Sequence, residues 1–502
     1  MDIPTVSGKG TQQFRDDAAD DEDKDGSITS QLRSLVRFFY IESVPSYGNN
    51  FFFTLGVYLL ELFGILAVTG MIMLVFGPYW WDLSALGTFV RSIHLWAAEA
   101  FITVMFLHLL VQLTTSAYKK KRLVWMFGSV ILLLVLLEFA FGVGLRGDFV
   151  SQWNAKAGAD LWNGMGLGFW INPLNAGAVL GWHVAIVPLF LIVLIFTHYM
   201  LVRGRGLNTP YRKDIPYSIV PANHAAMYRR MVYVLAVVLA FALLFRAPYV
   251  PPITISAIAN GHPDLMALTL LNEFNSSSNT ATYLNTIDPY TFSTRDVYVT
   301  TPYEYYVNAT GAANSEEAFL AENSDAQSAA LVQAYSYFED NGSVQQGIRS
   351  SNLIIAVASE LTLMAQKGLY QPVVQSETAS GLDTTYALLF INDTGVLGSE
   401  AQQYALTTSQ WGMLKVGANS WSIQYWLVPY NYLEIVTGNI PWWGDLENGV
   451  LAFSLFLVLL LLPYIPGLRD VPDRLKLYKI FWNRFTVPEL KKKKDSGKEQ
   501  KQ

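Results

Sequence analysis

Residues 91–113 read Arg91-Ser-Ile-His94-Leu-Trp-Ala-Ala-Glu-Ala-Phe-Ile-Thr-Val-Met-Phe-Leu-His108-Leu-Leu-Val-Gln-Leu113, an apolar run carrying two histidines 14 positions apart. A second run, 181–202, carries His183 and His198 15 positions apart. At about 3.6 residues per turn and about 1.5 Å rise, either spacing makes about four turns. Each pair therefore shares one helix face, its members about 21 Å apart. Two such helices side by side bring four imidazoles together as two pairs, one near each face of a bilayer. A haem iron takes two axial nitrogens and accepts neutral imidazole. The spacing predicts two stacked bis-histidine haems and a path for electrons across the membrane. A lone intramembrane histidine often only hydrogen-bonds a neighbouring helix. Two pairs in register point to ligation, because ionisable groups inside a membrane are functional by default.

Composition agrees with a membrane setting. The chain has 502 residues, 52% hydrophobic and only 15% charged. Several runs approach the length needed to span lipid. There are no cysteines, which excludes disulfides, thiolate zinc sites, cysteine-ligated iron–sulfur clusters and thioether-linked haem. The start is polar, so no signal peptide is expected.

In chain order, residues 1–27 hold Asp16, Asp17, Asp20, Asp21, Glu22, Asp23 and Asp25, a self-repelling acidic tail expected to be disordered. Residues 30–42 interleave Leu32, Leu35, Val36 and Phe39 with Arg33 and Arg37, as an interfacial amphipathic helix does. Six apolar runs follow, at about 51–77, 90–115, 123–145, 180–202, 229–247 and 448–465. Basic residues cluster after the second run (Lys119, Lys120, Lys121, Arg122), after the fourth (Arg203, Arg205, Arg212, Lys213), at the start of the fifth (Arg229, Arg230) and after the sixth (Arg469, Arg474, Lys476, and 491–494). All fall on one side if the spans alternate and the N-terminus is cytoplasmic. His94 and His183 then lie toward the outside, His108 and His198 toward the cytoplasm.

The polar stretch 248–425 is placed outside by this topology. It carries the N-x-Ser/Thr sequons Asn275, Asn308, Asn341 and Asn392, candidate glycosylation sites. Within it, 315–337 and 348–368 read as helices, 291–306 and 384–391 as strands. The expected fold is thus an all-α membrane protein: a four-helix di-haem bundle plus two further transmembrane helices, with an inserted extracellular α+β domain. The expected division is acidic tail 1–27, interfacial helix and di-haem core 28–215, fifth span 216–252, inserted domain 253–420, loop and sixth span 421–470, and basic cytoplasmic tail 471–502.

Glycines repeat the histidine spacing. Gly56 and Gly70 lie 14 apart in the first span, as do Gly128 and Gly142 in the third. A porphyrin edge against a helix needs a position without a side chain at each haem level. Arg91, three residues before His94, would sit at the outer level, either paired with a propionate or snorkelling to the interface.

These residues resemble cytochrome b of the cytochrome bc and chloroplast-type quinol-oxidising complexes. The resembling parts are Thr69-Gly70, Arg91-Ser92-Ile93-His94, His108, Gly128, Gly142, and His183 with Pro188 five residues on. The spacing of 15, and Arg203-Gly-Arg-Gly-Leu-Asn-Thr-Pro210 after His198, are similar to the chloroplast-type branch. The resemblance covers about 28–252 and 421–485, leaving the inserted domain unexplained. It implies an outer quinol site, a Rieske iron–sulfur partner with an extracytoplasmic electron acceptor, two haems (b-type expected, a-type open), an inner quinone site and a homodimer in a larger complex.

The family's outer site carries Pro-Glu-Trp-Tyr followed by Phe-Leu-Pro-Tyr. The matching stretch here is Ile423-Gln424-Tyr425-Trp426-Leu427-Val428-Pro429-Tyr430, so an amide stands where the acid is expected. An amide cannot accept and carry a proton as a carboxylate does. Glu434, Asp148 and Glu99 are the candidate substitutes. Asp148 alternatively forms a salt bridge with Arg146 or ends a helix. Trp153 matches the tryptophan of the family's following surface helix. Arg203, with Lys213 or Asp214, would belong to the inner site. The sequence leaves three readings: a quinol-oxidising subunit in a prokaryotic, archaeal-type cell membrane; a di-haem anchor linking the quinone pool to another oxidoreductase; and a non-redox membrane protein with a partner-binding outer domain. Membrane lipid is an expected partner and nucleic acid is not.

Overall fold

The computed structural model describes residues 43–207, 218–283, 290–378, 380–417 and 422–482. The acidic tail, the segment 30–42, Arg212, Lys213, Asp214 and the basic run 491–494 lie outside the described residues.

Among the described residues, six helices are long and apolar enough to cross a membrane. They are α1 (Leu55–Leu83), α2 (Ala85–Thr114), α3 (Arg122–Gly144), α5 (Ala176–Arg205), α6 (His224–Leu244) and α17, which begins the span Asp445–Tyr464. Between α3 and α5 lies α4 (Phe149–Gly164). α1 is broken at Gly77, whose φ of 75° is open to glycine, and Pro78 starts the extension beyond the break. That extension carries Asp82 back toward α2. Ser84 caps α2 by accepting from the Gly87 N–H.

α5 contains a π turn, Trp182–Ile186, in which the Val187 N–H bonds the Trp182 carbonyl five residues back. Pro188 explains it: proline donates no hydrogen bond and its ring crowds the carbonyl four residues back, so the chain widens one turn. His183 sits in that turn.

The basic segments converge on one face. Lys119 pairs with Asp470 and Asp473, and the Tyr118 hydroxyl donates to the Arg469 carbonyl, joining the α2–α3 loop to the end of the last span. Lys121 reaches the Gly206 carbonyl after α5. Strands β1 (Ser43–Pro45) and β2 (Ile219–Pro221) pair antiparallel, with Val44 opposite Val220, tying the start of α1 to the start of α6.

Among the described residues, the segment between α6 and the last span is helical, not α+β. It comprises α7 (Ile255–Gly261), α8 (Pro263–Phe274), α9 (Thr301–Thr310), α10 (Ser315–Leu320), α11 (Ser324–Glu339), α12 (Leu353–Gln366), α13 (Tyr370–Ser376), α14 (Thr385–Asp393) and α15 (Val396–Gln403). α16 (Val428–Thr437) and α17 (Asp445–Leu461) follow. The two expected strands are corrected. Stretch 291–306 forms a π turn (Asp296–Thr300) running into α9, and 384–391 forms α14. Their tyrosines, valines and threonines favour strands on propensity alone, but Tyr298 and Tyr303 are fully buried on helical faces and packing decides. The expected helix 315–337 is two helices, because Asn323 caps a new start by accepting from the Ala326 N–H.

α12 is the axle of this domain, with eleven of its fourteen residues buried. α12 and α13 together are as apolar as a span but bend by 97°. α12 alone is about 21 Å long, short of the roughly 30 Å hydrocarbon core. Around it, Phe274, Phe319, Phe338, Tyr370 and Phe390 complete one core.

Candidate functional site

At the outer level the rings of His94 on α2 and His183 on α5 stand 6.3 Å apart, centre to centre, 70° between their planes. Two metal–imidazole bonds of about 2 Å each, plus the two ring radii, span about 6 Å. The hydrogen bonds fix which nitrogen faces the gap. Thr69 Oγ1 donates to the Ile65 carbonyl at 2.7 Å, so toward His94 Nδ1, 2.9 Å away, it can only accept. His183 Nδ1 lies 3.1 Å from the Glu138 carbonyl and 3.1 Å from its Oε1, both acceptors of a carboxylate residue. Both Nδ1 atoms therefore carry the proton, and both Nε2 atoms keep the bare lone pair a metal needs. The donor set fits a haem iron.

At the inner level His108 on α2 interacts electrostatically with His198 on α5, and His108 Nδ1 is buried without a protein partner. The glycines mark the same levels. A Cβ on Gly70 would meet His94 Cε1 at 3.4 Å, and on Gly142 would meet His183 Cε1 at 2.9 Å. On Gly128 it would meet His198 Cε1 at 3.3 Å, and on Gly56 His108 Cε1 at 4.0 Å. The glycines thus make room for the imidazoles themselves, where the sequence suggested only a porphyrin edge.

Arg91 is buried, paired with Asp82 and bonded to the Pro248 carbonyl. Arg146 donates to the same Pro248 carbonyl at 2.6 Å, to the Val416 carbonyl, and to Asp148 Oδ2 at 2.6 Å. Burial pushes the Arg146 guanidinium down and Asp148 pulls it back up. Asp148 is fully buried, and its other oxygen accepts from the Ser151 N–H to cap α4. This knot of charge ties the entry (248) and exit (416) of the outer domain to the ends of α1, α2 and α3. α4 seats the domain further: Gln152 bonds the Ile253 backbone twice and Trp153 Nε1 donates to the Leu406 carbonyl.

The stretch 423–430 wedges between spans. Trp426 meets Phe139 of α3 edge-on at 4.9 Å, and the Tyr425 hydroxyl donates to Thr103 Oγ1 of α2 at 3.0 Å. Pro429 occupies the first turn of α16, where proline fits. Gln424 is buried, its N–H bonded to the Leu414 carbonyl at 2.8 Å. Of the three acids named as substitutes, Asp148 is fully engaged and Glu434 accepts from Asn448 at 2.6 Å. Glu99 is buried with Oε1 unpartnered, one turn from Thr103 and in electrostatic reach of Tyr425. Arg203 lies in the last turn of α5. Asn275, Asn308 and Asn341 are exposed, and Asn392 is half-buried in α14.

Glu138 was not singled out from the sequence. The signal was present: an acid in an apolar span, one turn before Gly142 on the same face. Asp82 and the Pro248 carbonyl were missed because only folding brings them to Arg91.

Fold and site define a polytopic helical membrane protein with imidazole pairs at two depths of one bundle. The family model described as cytochrome b(N-terminal)/b6/petB matches residues 99–263, so this segment is similar to the cytochrome b/b6 family. Cytochrome b6 of Heliomicrobium gestii is 27% identical over 192 residues, 33% of this chain and 89% of the relative. Cytochrome b6 of Heterocapsa triquetra is 32% identical over 142 residues, 25% of this chain and 64% of the relative. Cytochrome b of Sulfolobus acidocaldarius is 25% identical over 228 residues, 39% of this chain and 40% of the relative. A chain of a solved structure titled "Hyperthermophilic respiratory Complex III" superposes with a TM-score of 0.37 at 16% identity, over 76% of this chain and 99% of that one.

Proposed function

We propose that this chain is the di-haem cytochrome b subunit of a quinol-oxidising respiratory complex in a cell membrane. The basic face is cytoplasmic and residues 248–425 are outside. The observation that supports this best is the His94–His183 pair, 6.3 Å apart with both Nδ1 protons donated away from the gap. His94 and His183 would hold the outer haem, and His108 and His198 the inner one. Haem, when bound, supplies one-electron transfer. Thr69 and Glu138 orient the outer ligands, and Gly56, Gly70, Gly128 and Gly142 let the imidazoles approach their neighbouring helices.

The outer quinol site lies where Gln424, Tyr425, Trp426 and Pro429 meet α2 and α3. Trp426 and Phe139 exclude water there. Quinol oxidation releases two protons and two electrons. Glu99, whose Oε1 is buried without a partner, takes one proton in place of the family's acid, and the other leaves to the outer aqueous side. One electron leaves to a Rieske iron–sulfur protein and an outer acceptor, and one crosses toward an inner quinone site that includes Arg203. Asp148 supports the site by capping α4 and pairing with Arg146. A homodimer within the larger complex follows family precedent.

The test is optical and kinetic. Alanine at any of the four histidines removes pigment, and an unchanged b-type spectrum overturns the assignment. Glu99→Gln slows quinol-driven reduction at least tenfold, while Gln424→Glu leaves it within a few fold. The second reading is a di-haem anchor without an outer quinol site, favoured by Gln424 in place of the acid. Quinol reduction insensitive to outer-site inhibitors decides for that reading.

A further inference from the structure

We infer that Glu138 is a positioning residue for the proposed outer haem ligand His183, and that through this ring it lowers that haem's potential. The inference rests on the di-haem reading. A carboxylate in a membrane span is costly and needs a partner. Here the partner is the imidazole: Glu138 Oε1 stands 3.1 Å from His183 Nδ1, and Oε2 is buried with no partner. Glu138 also contributes its own backbone carbonyl to the same Nδ1 at 3.1 Å. Two acceptors on one N–H hold the ring's tautomer and its plane. The ring needs this, because it sits on the widened turn before Pro188, where α5 is least regular.

The two levels of the bundle differ in this respect. His94, facing His183, gives its Nδ1 proton to a neutral hydroxyl, Thr69 Oγ1. Among the described residues no ion pair joins His108 or His198. The outer level alone thus carries an acid on a ligand. A carboxylate accepting the far proton of an imidazole makes that imidazole the stronger donor. The more donating ligand, with negative charge beside it, favours the more positive oxidised state of the metal.

The test uses the full-length protein, Glu138→Gln and Glu138→Asp, with redox titration of the two haem components of the optical spectrum. Glu138→Gln keeps an acceptor and removes the charge. It is expected to raise the potential of one component so that its oxidised-to-reduced ratio at fixed potential falls about tenfold, about 59 mV for one electron, with the other component unmoved. Glu138→Asp keeps the charge and is expected to shift that component by less than half as much. Loss of pigment in Glu138→Gln but not in Glu138→Asp also supports a ligand-holding carboxylate. Unmoved potentials in Glu138→Gln, equal shifts of both components, or pigment loss in both variants overturn the inference. A wild-type protein with no bis-imidazole spectrum overturns instead the di-haem reading beneath it.

Discussion

The bundle and the outer domain place their polar groups by opposite rules. In the bundle the outward faces are apolar, with Val68, Met71 and Val75 of α1 all more than 60% exposed, and the polar side chains turn inward to one another. Thr69 meets His94 there, and Glu138 meets His183. In the outer domain the inside is apolar and buried acids meet hydroxyls. Tyr303 donates to Glu360 at 2.7 Å, Thr300 to Glu316 at 2.7 Å, and Ser278 to Glu273 at 2.7 Å. The bundle's Glu138 faces a histidine, whereas the buried acids of the domain face hydroxyls. The same residue type therefore has to be judged by what it faces.

The largest expected effect breaks the bundle's side of that contrast. Gly142→Val puts a branched side chain where even a Cβ would stand 2.9 Å from His183 Cε1. It should cost at least half the bound pigment by pyridine haemochrome assay. Gly56→Ala, with 4.0 Å to His108, should cost little. Equal losses would show that the glycines answer to helix packing alone.

Next in size is the charge knot between the two regions. Asp148→Ala leaves Arg146 buried beside two carbonyls without its carboxylate and uncaps α4. Removing one partner of a buried pair typically costs about 3–5 kcal/mol. The expected outcome is a lower unfolding midpoint and faster hydrogen exchange at both 248 and 416, because the knot holds entry and exit together. Asp148→Asn keeps the cap and should lose less. If turnover falls while both stability readouts hold, Asp148 takes part in proton transfer after all.

Legibility in the sequence followed the same division. Spans were legible because lipid demands long apolar runs, and the histidine register because four turns of helix leave little choice of partner. The outer domain was misread at 291–306 and 384–391, where Tyr, Val and Thr suggested strands. Burial around α12 overrode that preference, and no local pattern announces which faces a central helix will cover. The π turn before Pro302 repeats the one before Pro188, with Thr301 N–H bonding the Asp296 carbonyl. A proline six residues after the first residue of the π turn was the readable trace of both. The Asp82 and Pro248 partners of Arg91 were out of reach, since Asp82 depends on the break at Gly77 and Pro248 lies 157 residues away.

A smaller effect tests the domain's side of the contrast. Burial pushes the Glu273 carboxyl up to about 9, with Asp393 beside it adding to the rise, and burial raises Asp393 as well. Ser278, Thr280 and Thr294 face the pair with hydrogen-bonding groups, and Tyr298 and Tyr370 pack nearby. A carboxyl whose folded value exceeds its unfolded 4.5 binds its proton more tightly in the fold. The stabilisation is complete below pH 4.5 and is lost as pH rises from 4.5 through about 9. Each proton held only by the fold is worth about 1.4 kcal/mol per pH unit across that window. Hydrogen exchange of α8 and α14 in the whole protein should therefore slow as pH falls from 8 to 5, after correction for the intrinsic rate. Glu273→Gln should flatten that dependence, and an unchanged slope would mean the pair is not what holds these helices.

The smallest effect concerns the domain's surface and bears on which way the protein faces. A glycan is bulky and sits on a surface, so its asparagine must be reachable. Asn275, Asn308 and Asn341 are exposed, and Asn341 occupies a left-handed turn at φ 59°. Asn392 is half-buried within α14, next to Asp393 of the acid pair, and its sequon partner Thr394 is buried with its hydroxyl donated to the Ile391 carbonyl. Carbohydrate at Asn392 would have to displace the helix from the α12 core. In a host that glycosylates, mass spectrometry should find glycan on the first three and a bare Asn392, and Asn392→Gln should leave the mass of the glycoform unchanged. Glycan on Asn392 would require α14 to be open when the enzyme reaches it, and would weaken the case that its buried acids hold the domain shut. Glycan on any of the four places 248–425 outside, and with it the His94–His183 level and its carboxylate.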